Sequence, residues 1–280
     1  MPGQLYIVAT PIGNLQDISM RAIDTLRDVD LIACEDTRHS GKLLKHYEIK
    51  NKLISYHEHN EDKRSDELLK LLQDGKSIAV ISDAGMPGIS DPGFAITNKA
   101  RLLDVEVIVV PGPVAYISAV AASGLPADSI FFGGFLPSKK GERRKRLKSV
   151  SEIPATLCFY ETPHRIGKSL VDCLQILGNR KAVIVRELTK LHEEVISGDL
   201  ARLTANYESE KLKGEIVLII DRHLIAGENR AGKNRKSISE LVAKFQEEGV
   251  DHKKALKLAA KEYGISKPEA YRILQEEKGS

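Results

Sequence analysis

The chain has 280 residues, 42% of them hydrophobic and 29% charged, with 42 lysines and arginines against 39 aspartates and glutamates. Such a length suggests about two domains, and a net charge of +3 argues for no nucleic-acid partner unless the charge is unevenly placed. No apolar run approaches the roughly 20 residues of a membrane span.

The opening MPGQLYIVATPIGN lacks the basic-then-apolar order of a secretory signal. Cys34, Cys158 and Cys173 are odd in number, scattered and set in apolar segments, which suits buried thiols in a reducing cytoplasm. Runs at 5–9, 31–35, 77–81 and 105–110 read as strands, with a weaker one at 52–55. They are nearly continuous in apolar residues, as parallel strands covered on both faces should be. Helices are expected at about 19–28, 37–47, 61–74 and 92–103, so residues 1–112 form one α/β domain. Asp91-Pro92 and Thr162-Pro163 each read as a helix cap followed by proline at the first helical position.

A second α/β domain is expected over 113–221. It runs through a helix at 113–123, a strand at 129–134, a basic helix at 139–149, a strand at 155–160 and a helix at 164–177. Strands at 181–188, 193–198 and 215–221 then follow without a long helix between them, which favours a mixed sheet. A basic, Gly- and Asn-rich linker fills 222–236. Helices at 238–248, 252–262 and 267–277 complete a helix-turn-helix-like domain over 237–280. Ser237 with Glu240 and Ser266 with Glu269 form capping boxes there, and Gly249 and Gly264 sit at helix ends.

Several familiar motifs fail. GKS at 167–169 lacks the glycine of a phosphate loop at position 162 and lies within a helix. HEEVI at 192–196 lacks a second zinc-binding histidine, and His57 and His59 on a polar loop read as solvated, so no metal site is expected. Neither GxGxxG nor GxSxG occurs in its required place.

Three loops leaving strand ends are unusual: ATPIGN at 9–14, SDAGMPGISDPG at 82–93 and VPGPVA at 110–115. In open α/β sheets ligands bind beyond the carboxyl ends of strands. Glycine permits close approach and proline lowers the ordering entropy, so three such loops on one edge point to a pocket. The long loop holds Asp83 and Asp91 and no lysine or arginine, the opposite of a phosphate cradle. A ligand with hydroxyls, an amine or a cationic centre suits it, and S-adenosylmethionine has all three. Asp91 is read as the helix cap, leaving Asp83 as the ligand contact.

ATPIGNLQDIS, ACEDTR, SDAGMPGISDPG, VPGPVA, ASGLP, GGFLPSK, FYETPHR and GEIVL, in this order over residues 5 to about 221, resemble the tetrapyrrole-methylase-like, class III methyltransferase superfamily. Within it they resemble the branch that methylates a ribose 2′-oxygen of ribosomal RNA. The resemblance implies two α/β domains with S-adenosylmethionine in the cleft between them, a small C-terminal three-helix domain and a homodimer. It implies a cytidine ribose in the decoding centre of 16S rRNA as target, within the small ribosomal subunit. The alternative substrate is a corrinoid or porphyrin precursor. By position, the cofactor residues are Ile12, Asp83, Met86, Ala115, Tyr116, Tyr160 and Glu215. Val114 departs from the small or polar residue of the family pattern.

On the RNA side, KKGERRKRLK at 139–148 holds seven basic residues and one acid, a concentrated patch suited to phosphates. Lys139, Lys140, Arg143, Arg144 and Arg146 are its contact residues, with Arg38, His164 and Arg165 beside the cleft motifs. For Arg165 an internal partner such as Glu161 is an equal reading. A ribose hydroxyl is a weak nucleophile, so a base would help. Glu35 and Asp36 are the base candidates and Asn14 an orienting group, against the reading that they order loops or cap the next helix.

Overall fold

The computed structural model describes residues 2–208, 212–223, 237–263 and 265–278. Contacts divide the chain into two compact units, Met1–Arg222 and His223–Ser280. The first unit begins with a parallel sheet of β1 (Leu5–Val8), β2 (Leu31–Cys34), β3 (Leu53–Ser55), β4 (Ile78–Ile81) and β5 (Val107–Val110), in the order β3-β2-β4-β1-β5. Its helices are α1 (Met20–Asp28), α2 (Thr37–His46), α3 (Glu61–Gln73) and α4 (Phe94–Leu102).

The period of two sorts the strand residues onto two faces. Leu5, Ile7, Leu31, Ala33, Ile78 and Val80 pack against α3 and α4 through Leu68, Leu72 and Ile96. Val8, Ile32, Cys34, Ala79 and Ile81 pack against α1 and α2 through Ile23, Leu26 and Leu44. The connections leaving the neighbouring strands β1 and β4 therefore run to opposite faces, which opens a crevice at their carboxyl ends.

The second part of this unit comprises α5 (Ala115–Ser123), β6 (Ile130–Phe135), α6 (Lys140–Val150), β7 (Thr156–Glu161), α7 (Ile166–Leu177), β8 (Lys181–Arg186), β9 (Glu194–Asp199), α8 (Leu200–Tyr207) and β10 (Ile216–Ile220). Its sheet, β6-β7-β10-β8-β9, is mixed as expected: β6 and β7 are parallel and the remaining pairs antiparallel. Leu147, Leu170, Cys173 and Leu203 of α6, α7 and α8 cover one face. Ala119 and Val120 of α5 cover the other. Helix α8 was not anticipated. Its signal was there: Asp199 caps it by accepting from Arg202 N–H at 2.9 Å, and Leu200, Leu203 and Thr204 fall on one buried face.

Two expected helix starts are corrected. Helix α4 begins at Phe94, not after Asp91, because Gly88 N–H donates to Pro92 O at 3.1 Å and closes the loop first. The cap comes from elsewhere in the chain: Glu61 Oε1 accepts from Gly93 N–H at 2.9 Å and Ala95 N–H at 3.1 Å. Helix α7 begins at Ile166, because residues 163–165 form a turn in which Arg165 and Ile166 both donate to Thr162 O. Neither aspartate nor threonine caps its helix through a side chain.

The second unit holds α9 (Ile238–Glu247), α10 (His252–Tyr263) and α11 (Lys267–Lys278) around Leu241, Leu256, Ala259 and Leu274. The capping box of Ser237 with Glu240 is complete. At Ser266 the hydroxyl accepts from Glu269 N–H at 3.4 Å. Gly249, at φ +84°, follows α9 in the left-handed conformation. The linker expected at 222–236 lies, from 224 on, outside the described residues, as does Gly264.

Glu61 also accepts from the Tyr56 hydroxyl at 3.0 Å, which keeps Ser65 Oγ at 3.2 Å as a second partner, so Glu61→Ala strands the two backbone donors Gly93 and Ala95. It should lower stability by about 1–3 kcal/mol, seen as a lower urea midpoint. Amide exchange at Gly93 and Ala95 should accelerate, which separates loss of this cap from a general loosening.

Candidate active site

Three loops meet where β1, β4 and β5 end. Thr10 N–H donates to Gly85 O at 2.9 Å, and Gly85 N–H returns a bond to Thr10 O at 3.1 Å. The Thr10 hydroxyl donates to Ser82 O at 3.0 Å and the Ser82 hydroxyl to Gly85 O at 3.1 Å. Gly85 lies at φ +87°, where a Cβ would touch Ile12 Cγ2 at 3.4 Å. Glycine is thus required by backbone conformation at the point where two loops join. Ser90, at φ +64°, holds the left-handed region without that freedom.

Between these loops and the second sheet lies a cavity of about 310 Å³, within the range of small-molecule sites. Ile12, Met86, Ile89, Val114 and Ala115 form its wall on one side, and Phe135, Tyr160, Val185, Leu188 and Val217 on the other. Asp91, Glu161 and Glu215 share the wall, and among the described residues no lysine or arginine does. Of the seven expected cofactor residues, Ile12, Met86, Ala115, Tyr160 and Glu215 line the cavity. Asp83 and Tyr116 do not. Asp83 Oδ1 accepts from Asp36 N–H at 3.2 Å. The Tyr116 ring stacks on Phe132 at 4.1 Å, and Phe132 meets the Tyr160 ring edge-on at 4.9 Å.

The three expected catalytic groups also lie outside the wall. Asn14 accepts from Gln16 N–H through its side chain, while its own N–H donates to Thr189 Oγ1, each at 3.1 Å. Asp36 caps α2, and its hydrogen bonds with Arg38 hold its carboxyl well below the usual range. Both thus serve the local order that was the competing reading. Burial, aided by the charge of Asp83, pushes the Glu35 carboxyl up.

The residue that sequence reasoning assigned elsewhere is Asp91. It lies in the wall, and burial, with the charges of Glu35 and Asp83, pushes its carboxyl up to about 6. The Asp-Pro pair imitated a helix start, and only the loop closure at Pro92 shows otherwise. Glu161 was likewise missed as a wall residue. It is committed internally: Arg165 binds it at 3.0 and 3.1 Å and the Ser169 hydroxyl donates at 2.8 Å. Glu215 pairs with Lys190 at 3.0 Å. Burial pushes the Tyr160 phenol up to about 12, which keeps it neutral.

The basic helix is α6, and one of its expected contact residues is turned inside. Arg143 is 3% exposed, binds Asp172 at 2.7 and 2.9 Å and donates to Pro137 O and Ser138 O. It fastens α6 to α7 and is withdrawn from the surface. Lys139, Lys140 and Arg146 remain exposed, with Arg146 5.3 Å from the Phe131 ring centre, and Arg144 is half-buried. Arg38 and His164 are exposed, whereas Arg165 is turned inward on Glu161. Among the described residues no group of three or more His, Cys, Asp or Glu is placed to hold a metal ion. No described helix is long and apolar enough to cross a membrane.

The profile of the Tetrapyrrole (Corrin/Porphyrin) Methylases matches residues 4–204. The chain is similar to proteins named ribosomal RNA small subunit methyltransferase I. One from Escherichia coli O157:H7 is 42% identical, with 99% of this chain and 96% of that one covered. One from Halalkalibacterium halodurans is 44% identical, with 98% and 96% covered. Among solved structures, a diphthine synthase superposes with a TM-score of 0.61 at 14% identity, over 79% of this chain and 92% of its own. A uroporphyrin-III-C-methyltransferase from Thermus thermophilus superposes at 0.57 and 19% identity, over 78% and 94%. These two likenesses show the fold.

Asp172→Ala should leave the Arg143 guanidinium buried without its partner and cost about 3–5 kcal/mol, measured by chemical denaturation. Lys140→Ala on the exposed face of the same helix should stay within about 0.5 kcal/mol.

Proposed function

This chain belongs to the tetrapyrrole (corrin/porphyrin) methylase family, and from that premise we propose that it methylates a cytidine ribose 2′-oxygen in the decoding centre of 16S rRNA. It is an S-adenosylmethionine-dependent rRNA methyltransferase. The observation that carries this reading is near full-length similarity, at 42–44% identity, to relatives bearing one name.

The residues present fit the cofactor. The cavity is of small-molecule size, and its wall joins apolar side chains to carboxylates with no described cation among them. That donor set suits an amine, hydroxyls and a positive centre and repels phosphate. Ile12, Met86, Ala115, Tyr160 and Glu215 would hold the cofactor, with Asp83 and Tyr116 supporting the loop and ring that form the wall. S-adenosylmethionine, when bound, supplies an electrophilic methyl group on a sulfonium sulfur. The chain's own task is then to hold a ribose oxygen in line and exclude water, and orientation alone can supply on the order of 7–11 kcal/mol.

RNA would be gripped through phosphates by Lys139, Lys140, Arg144 and Arg146, with Arg38 and His164 nearer the loops. A homodimer is supported by the edge strand β5, where exposed Val109 lines a surface depression with exposed Phe94. The buried free thiols of Cys34, Cys158 and Cys173 support a cytoplasmic setting. The two sheets support a division near residue 112 within Met1–Arg222. A corrinoid or porphyrin precursor is the second reading, favoured by the family description but not by an exposed basic helix face.

The test is methyl transfer from labelled S-adenosylmethionine to small ribosomal subunits from a strain lacking the protein, followed by nucleoside digestion. Label is expected in a 2′-O-methylated cytidine; label on a tetrapyrrole precursor alone would overturn the reading. Replacing Lys139, Lys140 and Arg146 together by glutamine should weaken subunit binding and make the log–log salt slope shallower by about 2–3. Cofactor affinity should be unchanged, as a merely misfolded variant would not manage.

A further inference from the structure

We propose that Asp91 is the general base of the reaction, a catalytic residue that takes the proton from the ribose 2′-hydroxyl. The inference rests on the rRNA ribose reading above. Among the described residues four titratable side chains reach the cavity wall: Asp91, Tyr160, Glu161 and Glu215. Glu161 is held by Arg165 and Ser169, and Glu215 by Lys190. A carboxylate engaged by a cation turns its oxygens to that partner and not to a substrate hydroxyl. Tyr160 keeps its proton. Among the described residues Asp91 has no cation partner, and it alone of the wall carboxylates is free to take a proton.

Its surroundings match that role. The groups around it are the Ser82 hydroxyl from the start of the same loop, Asp83, Glu35 at the end of β2, and Tyr160 on β7. None is positive. Burial and two like charges raise its pKa to about 6, so it is ionised at neutral pH yet basic enough to act. The backbone holds it in place from both sides. Ser90 precedes it at φ +64°, and Pro92, which follows it, accepts from Gly88 N–H at 3.1 Å. Gly93 N–H is anchored on Glu61.

The step balances without a further reactant. The 2′-oxygen bonds to the methyl carbon, the carbon–sulfur bond breaks with its electron pair left on sulfur, and the hydroxyl proton passes to the Asp91 carboxylate. Sulfonium charge is thereby neutralised, and the protonated Asp91 later returns its proton to solvent.

The test compares wild type with Asp91→Asn and Asp91→Glu. In the wild type, turnover on small subunits should fall about tenfold per pH unit below about pH 6 and level off above it. Asp91→Asn should lose about 10²–10⁴ in turnover and the acid limb with it, a loss that saturating S-adenosylmethionine does not restore. Asp91→Glu should restore part of the turnover and an acid limb. Two readouts are independent of activity. Infrared difference spectra of the protein alone should show a carboxyl titrating near pH 6 in wild type and missing from Asp91→Asn. Because the folded pKa is raised, ionisation of Asp91 opposes folding as pH rises through about 6, so the Asn variant should have the higher Tm at neutral pH and none of that gain below pH 4.

Turnover of Asp91→Asn within threefold of wild type, or an acid limb that survives in it, would overturn the assignment. So would turnover restored by saturating S-adenosylmethionine, which would make Asp91 a cofactor contact alone. If the wild type itself places no label on rRNA ribose, the underlying reading fails and the inference falls with it; label on ribose with an unimpaired Asn variant removes the inference alone.

Discussion

The reciprocal amide bonds between Thr10 and Gly85 are the constraint on which the site depends. They join the loop after β1 to the loop after β4, the two strands whose connections leave toward opposite faces of the sheet. Without that joint the crevice would be a gap between independent loops. With it, Ile12, Met86 and Asp91 are delivered to one wall by backbone geometry. The Thr10 and Ser82 hydroxyls complete the joint in a place that is nearly fully buried, where an unmade hydrogen bond would be costly.

A second consequence is electrostatic. The joint and its loop carry acidic residues into a partly buried space without matching cations, while the chain's arginines are committed elsewhere. Arg143 serves Asp172 and Arg38 serves Asp36, while Arg165 and Lys190 pair with the wall residues Glu161 and Glu215 and leave Asp91 without a cation among the described residues. The unequal distribution leaves a cavity wall that is negative and an exposed helix face that is positive. A sulfonium donor and a polyanionic acceptor would each find the surface of opposite sign.

Much of this was legible beforehand because it rests on local chemistry. Continuous apolar runs marked β1, β2, β4 and β5, since both faces of a parallel sheet are covered. Glycines and prolines marked the loops, and five of the seven proposed cofactor residues do line one cavity. What was not legible depends on partners distant in sequence. Asp91 resembled a helix cap because the competing cap, Glu61, lies 32 residues before the Gly93 amide it serves. Arg143 resembled its neighbours in the basic run because Asp172, 29 residues on, is what draws it inside. Helix α8 was hidden by short length between two clear strands.

The strand order also shapes how the chain is made. β1 pairs with β4 and β5 and with neither of the strands that directly follow it. During synthesis its apolar residues, Leu5–Val8, must wait for Ile78–Ile81 before either edge is filled. At roughly 5–20 residues per second that interval is on the order of 4–14 s. The nascent chain thus carries an unpaired hydrophobic strand for most of the time the first sheet takes to emerge. The parallel order that later creates the crevice makes β1 the first strand of its sheet to emerge and the one that needs shielding from other chains until β4 follows.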